Sequence, residues 1–106
     1  MKQTLKFEVE LDENHLPLNI KMQATDGDAE ENNIKALMIS AWDANNKETL
    51  RIDLWTKNMP VNEMFIMYHQ TMMGMANSLD KATGENKLAD ALKDYCDFFA
   101  EQTKIK

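Results

Sequence analysis

The chain has 106 residues, of which 18 are acidic and 12 are basic, so its net charge is -6. An acidic chain repels nucleic-acid phosphates and anionic lipid, and we expect neither as a partner. Hydrophobic residues make up 43% of the chain, which is enough for a core and excludes intrinsic disorder. We therefore expect one folded domain over residues 1–106.

Cys96 is the single cysteine, so an intramolecular disulfide is excluded. Small secreted domains usually depend on disulfides, and their absence favours a reducing compartment. The sequence has no run of about 18 apolar residues that could span a bilayer, and its start shows no apolar signal region. We expect a soluble, cytoplasmic protein without membrane insertion.

Alternating apolar and polar residues predict four strands in the first half of the chain. The first two, at residues 5–11 and 16–24, form a hairpin. The next two, at residues 34–42 and 49–55, form a second hairpin. Its turn at residues 44–47 is rich in asparagine, which tolerates positive φ. The third strand is apolar on both faces, which is typical of a central strand or of one covered by another subunit.

Residues 26–33 are polar and acidic without an apolar period, and we interpret them as a long loop. From Asp26 onward the acidic residues alternate like the opening of a calcium loop. An EF-hand needs glycine at its sixth position and glutamate at its twelfth, where this chain has Glu31 and Leu37. We therefore do not expect calcium binding.

Two amphipathic helices are predicted in the second half. The first begins at Pro60 and ends at Gly84, and the second runs from about Glu85 to Thr103. The apolar stripe of the first comprises Val61, Phe65, Tyr68, Met72, Met75, Leu79 and Ala82. The stripe of the second comprises Leu88, Leu92, Tyr95 and Phe99. This order predicts an α+β fold in which a four-stranded antiparallel sheet is followed by two C-terminal helices packed on one face.

Methionine is abundant, with nine residues in all and six of them between Met59 and Met75. Methionine fills irregular gaps in cores and is also common on surfaces that accept partners. Met64, Met67 and Met73 lie off the predicted stripe, so they are candidates for partner binding. Core packing, self-association and contact with a foreign chain all remain open for this helix.

The two tryptophans lie near the ends of the second predicted hairpin. A cross-strand pair of Trp42 and Trp55 would be structural, whereas an exposed tryptophan would anchor an interface. We therefore add both residues to the candidate partner-binding set.

The sequence contains no motif that is typical of a catalytic site. Phosphate loops, nucleophile elbows and paired zinc-binding histidines are absent from it. His69 has no second ligand one turn away, because Met73 occupies that position. Cys96 falls beside the stripe of the second helix and is expected to be a small buried hydrophobe. We expect no catalytic residues, no metal and no cofactor.

Residues 49–64 resemble the gliding motility-associated protein C family (GldC) of Bacteroidetes. Residues 9–14, 68–71, 82–84 and 94–97 extend the resemblance along nearly the whole chain. The resemblance implies a small soluble protein that is accessory to gliding motility and has no assigned catalytic activity. It transfers no functional residues.

Two functions follow. The first is a non-catalytic accessory protein that contacts other proteins of the gliding or associated secretion apparatus, with a homodimer suggested by the apolar third strand. The second is a holdase for unfolded clients, because strand order, acidity and methionine content resemble the SecB export chaperone in outline.

Arg51, Asp53 and Lys57 are expected to form a local charge network near the start of the first helix.

Overall fold

The computed structural model describes residues 1–24 and 32–105. Of the predicted loop at residues 26–33, residues 26–31 lie outside the described residues, and Asn32 and Asn33 belong instead to the short strand Asn32–Ile34. Contacts divide the chain into two compact units, Met1–Met59 and Pro60–Lys106. The expectation of a single domain stays a prediction.

The first unit contains short antiparallel strands in two sheets. The strands are β1 Leu5–Leu11, β2 Pro17–Ala24, β3 Asn32–Ile34, β4 Ala36–Asp43 and β5 Glu48–Trp55. The first sheet has the order β1-β2-β3, and the second consists of β4 and β5. The α+β class is confirmed, and the predicted single four-stranded sheet is replaced by two smaller ones.

This difference arises because the predicted third strand bends at Lys35. On one side of the bend Ile34 pairs with Ile20 in the first sheet, and on the other side Ala36 pairs with Trp55 in the second. The Thr56 N–H donates to the Lys35 carbonyl at 2.8 Å, which fixes the chain at the bend. A pattern that is apolar on both faces gives no sign of the bend, because alternation is lost there.

Aspartates organise both hairpin turns. In the β4–β5 turn, Asp43 Oδ1 accepts the Asn45 N–H at 3.0 Å, and the Asp43 carbonyl accepts the Lys47 N–H at 2.9 Å. The residue with positive φ is Lys47, at 53°, and not an asparagine as the composition of the turn suggested. The turn itself lies where the sequence predicted it.

The second unit is a helical hairpin of α1 Val61–Thr83 and α2 Asn86–Thr103. Pro60 precedes the first helix, where its missing N–H has no cost. Gly84 ends it in the left-handed region with φ 70°, and its N–H donates to the Asp80 carbonyl at 2.8 Å. Both predicted helices are confirmed to within a residue or two at their ends.

The most deeply buried residues of the helical hairpin have small side chains. The fully buried apolar residues of the hairpin are Ala76, Ala89, Cys96 and Ala100. Large members of the predicted stripes stay exposed instead, including Tyr68 at 45%, Met75 at 54% and Leu88 at 57%. Large stripe residues also meet across the two helices, since the rings of Phe65 and Phe99 lie 5.9 Å apart between their centroids. The expected packing of the helices on one face of a sheet stays a prediction.

Candidate functional site

A pocket of about 250 Å³ opens at the C-terminal end of β5. Its apolar walls come from Leu16 and Pro17 at the start of β2 and from Leu54 and Trp55 in β5. Trp55 is 57% exposed, so a large aromatic surface borders the opening. A pocket of this size takes one side chain of another protein and not a whole cofactor.

The β1–β2 turn holds Leu16 and Pro17 at this position. Asp12 Oδ1 accepts the backbone N–H groups of Asn14 at 2.8 Å and of Leu16 at 3.0 Å. Its second oxygen, Oδ2, lies 2.5 Å from the Lys57 ammonium group, which follows β5 in the chain. The pair therefore joins the turn to the end of the strand that carries Trp55.

These contacts lower the pKa of the Asp12 carboxyl below its ordinary value. The hydrogen bond from Lys57 is the main cause, and the Leu16 N–H bond adds to it. The carboxyl side chain is only 12% exposed. Asp12 is thus charged at neutral pH and keeps the pocket wall in place.

Polar residues also line the pocket, namely Asp53, Thr56 and Lys57. Thr56 is 3% exposed, and its Oγ1 is buried without a hydrogen-bond partner among the described residues. A buried hydroxyl without a partner costs about 1–3 kcal/mol, so Thr56 lowers the stability of the free protein. Thr56 was not among the predicted site residues, because an isolated threonine after a strand indicates no particular function.

Trp42 and Trp55 do not form a cross-strand pair. Trp42 is opposite Thr49 and Trp55 is opposite Ala36 in the two-stranded sheet of β4 and β5. The two rings therefore occupy the same face of this sheet, at its opposite ends. Trp42 is 67% exposed, but it does not line the pocket. Both tryptophans are therefore exposed, and Trp55 is the one that lines this pocket.

The three candidate methionines of α1, Met64, Met67 and Met73, are half-buried. The most exposed apolar residues of α1 are instead Val61 at 68% and Met75 at 54%. Helical spacing alone does not tell which side of a broadly apolar helix faces its neighbour. The role of these methionines in partner binding stays a prediction.

Aromatic rings cluster on the helical hairpin. Phe99 lies 5.9 Å from Phe65, edge to face, and 6.4 Å from both Tyr68 and Tyr95, measured between ring centroids. Tyr95 also lies 6.0 Å from Phe98, which is 54% exposed. The cluster stabilises the hairpin and leaves aromatic surface on its outside.

The expected charge network forms in part. Arg51 donates a hydrogen bond to Asp53 Oδ1 at 2.5 Å. It also donates one to Ser40 Oγ of the neighbouring strand β4 at 2.6 Å. Lys57 does not join it, because this lysine pairs with Asp12. The Arg51–Asp53 pair lies between the two tryptophans on the same face.

Chemically reactive groups do not converge among residues 1–24 and 32–105. Within that part of the chain, no group of three histidine, cysteine or acidic side chains could hold a metal ion. His15 occupies the β1–β2 turn with φ 63°. Cys96 is buried, and this burial raises the pKa of its thiol. Neither helix of the described chain is long and apolar enough to cross a membrane.

Comparison with known protein families gives one finding. Residues 17–105 match a family described as gliding motility-associated protein GldC-like. The match runs from β2 to the end of α2 and confirms the resemblance seen in the sequence. This is a motility family and not a known enzyme family. No curated protein and no solved structure matches the chain.

Proposed function

Because the chain belongs to the GldC-like family of gliding motility-associated proteins, we propose that it is a non-catalytic accessory protein of the gliding machinery. It acts by binding other proteins of the gliding apparatus or of the secretion system associated with it. The proposal assigns it to the cytoplasm, in keeping with its single cysteine.

The observation that carries the proposal is the pocket beside Trp55. An exposed tryptophan and apolar walls together make a small receptor for an apolar side chain. Tryptophan is enriched among the residues that dominate binding energy at interfaces. A partner segment fits when it inserts one apolar side chain beside Trp55.

Affinity capture from cells of the source species tests this proposal. Three tagged baits are compared: the unchanged chain, Trp55→Ala and the matched control Trp42→Ala. We expect a motility or secretion protein to be recovered with the unchanged chain and with Trp42→Ala, and to be lost with Trp55→Ala. Failure to recover any such protein, or equal recovery with all three baits, would contradict the proposal.

One observation favours the holdase as a second candidate. Tyr95 is 50% exposed and Phe98 is 54% exposed, and holdases bind unfolded chains through apolar surface of this kind. Suppression of aggregation of an unfolded client at equimolar protomer, reduced by Tyr95→Ser, would support this function. Absence of suppression would remove it.

A further inference from the structure

The outer edge of β5 is unpaired among the described strands. β5 pairs with β4 on one side only, in a sheet of two strands. The Thr56 N–H bonds the Lys35 carbonyl, and bonded pairs in an antiparallel ladder recur at every second residue, so Ile52 also bonds β4. The backbone N–H and C=O groups of Arg51 and Asp53 therefore point to the outer edge.

The sequence of this edge is complementary to itself. Residues 50–54 read Leu-Arg-Ile-Asp-Leu, with opposite charges at equal distances on either side of Ile52. When two copies run antiparallel with Ile52 on the two-fold axis, Arg51 of each copy lies opposite Asp53 of the other. Both charged pairs fall at hydrogen-bonded positions, and Ile52 meets its own copy at a closer, non-bonded position.

We propose that the protein forms a homodimer in which the β5 strands pair antiparallel about Ile52. The resulting sheet has the order β4-β5-β5-β4, and two-fold pairing of identical surfaces is the commonest symmetry of protein oligomers. This inference does not depend on the proposed function.

Charge selects this register over its neighbours. Symmetric pairing shifted toward the N-terminus by one residue per strand places Arg51 opposite Arg51, and the shift in the other direction places Asp53 opposite Asp53. Like charges directly opposite each other destabilise a strand pair, whereas opposite charges stabilise it. Charged residues often protect sheet edges from pairing, but one charge of each sign does not protect this edge against its own copy.

The dimer also covers apolar surface. Leu50 is 52% exposed and Ile52 is 51% exposed on the face that Leu54 shares. A two-stranded ribbon is marginal by itself, and a third and fourth strand give independent stability to a sheet with an apolar face. Pairing over residues 50–54 adds these strands next to the pocket, which Asp53 and Leu54 also line.

Charge reversal tests the pairing in trans. Sedimentation equilibrium of the full chain is expected to give a dimer at micromolar concentration. Arg51→Asp and Asp53→Arg should each weaken the dimer by about tenfold, because two like-charged contacts replace two attractive ones. A mixture of the two variants should restore dimerisation, since every cross-strand contact in the heterodimer is again attractive.

In that mixture, residues 51 and 53 of each chain still carry like charges and repel each other. Restored dimerisation must therefore come from the contact between the two copies. Circular dichroism of each variant confirms that it is folded. A mass of one protomer for the unchanged chain at about 100 µM, or no restoration on mixing folded variants, would overturn the proposal.

Disulfide trapping tests the register. Ile52→Cys should oxidise to a covalent dimer, because Cα atoms at a non-bonded antiparallel position lie about 4.5 Å apart, within disulfide range. Leu50→Cys is the matched control, since it lies on the same face with nearly equal exposure. In the proposed register two copies of residue 50 are about 14 Å apart along the strands. Equal trapping of both variants, or trapping of Leu50→Cys alone, would contradict the register.

Discussion

Asp12 and Lys57 form an ion pair with their Oδ2 and Nζ atoms 2.5 Å apart, although they are far apart in the sequence. The contact links the β1–β2 turn to the end of β5. Since Leu16 follows this turn and Trp55 precedes Lys57, both walls of the pocket depend on the pair.

Asp12→Asn should lower the urea midpoint of unfolding. The amide keeps one acceptor for the turn but loses the charge that faces Lys57, and charge-assisted hydrogen bonds are about twice as strong as neutral ones. Glu13→Gln, an exposed carboxylate in the same turn, is the control and should leave the midpoint unchanged. Equal midpoints for the unchanged chain and Asp12→Asn would contradict the role given to the pair.

The same residue predicts a pH dependence. Because folding lowers the pKa of Asp12 from its ordinary 3.8, the carboxylate contributes its full stabilisation above that value. The contribution is lost as the pH falls through the lower pKa of the folded state. Urea titrations from about pH 6 to about pH 2 should therefore show the gap between the unchanged chain and Asp12→Asn closing at the acid end. A gap that stays constant would count against the assignment.

Thr56→Val should raise the stability of the free protein by about 1 kcal/mol. The methyl group replaces a buried hydroxyl that has no described hydrogen-bond partner, and the backbone bond to Lys35 is kept. Exposed Thr49→Val is the control and should change stability by less than about 0.5 kcal/mol. Destabilisation by Thr56→Val would show that the hydroxyl is already satisfied.

Ala100→Leu should destabilise the helical hairpin by about 1–3 kcal/mol, because Ala100 is 1% exposed and a larger side chain must displace its neighbours. Ala91→Leu places the same side chain at an exposed position of the same helix and serves as the control. Urea denaturation followed by circular dichroism measures both. Equal stability of the two variants would refute close packing at Ala100.

Cys96 should resist alkylation in the native protein. Burial, with a smaller effect from the charge of Asp97, raises the pKa of the thiol, and only the thiolate reacts. We expect iodoacetamide to label the chain slowly in buffer and rapidly in concentrated urea. Native labelling at the rate of a free cysteine would contradict the burial of this residue.

The sequence predicted those parts of the fold that local signals determine. Pro60 and Gly84 marked the ends of α1, because restricted φ and left-handed φ act within single residues. Period-two alternation identified the β1–β2 hairpin. Family membership was likewise visible in the residues around β5 and the start of α1.

Features that depend on tertiary contacts were not predictable. The bend at Lys35 occurs where Thr56 supplies a hydrogen bond from a distant part of the chain. The complete burial of Ala76 was not predicted either, because alanine is too small to stand out in an apolar stripe. The pocket required the contact between Asp12 and Lys57, and nothing in their local sequence links them.

The central claim is that a partner binds at the pocket beside Trp55. Its most direct test uses Trp55 as the probe and Trp42 as the control within the same molecule. The protein is labelled with 5-fluorotryptophan, and its two ¹⁹F resonances are assigned with Trp42→Phe and Trp55→Phe. On addition of the captured motility protein, we predict that the Trp55 resonance shifts or broadens while the Trp42 resonance is unchanged. A change confined to Trp42, or no change in either resonance at saturation, would contradict binding at the pocket.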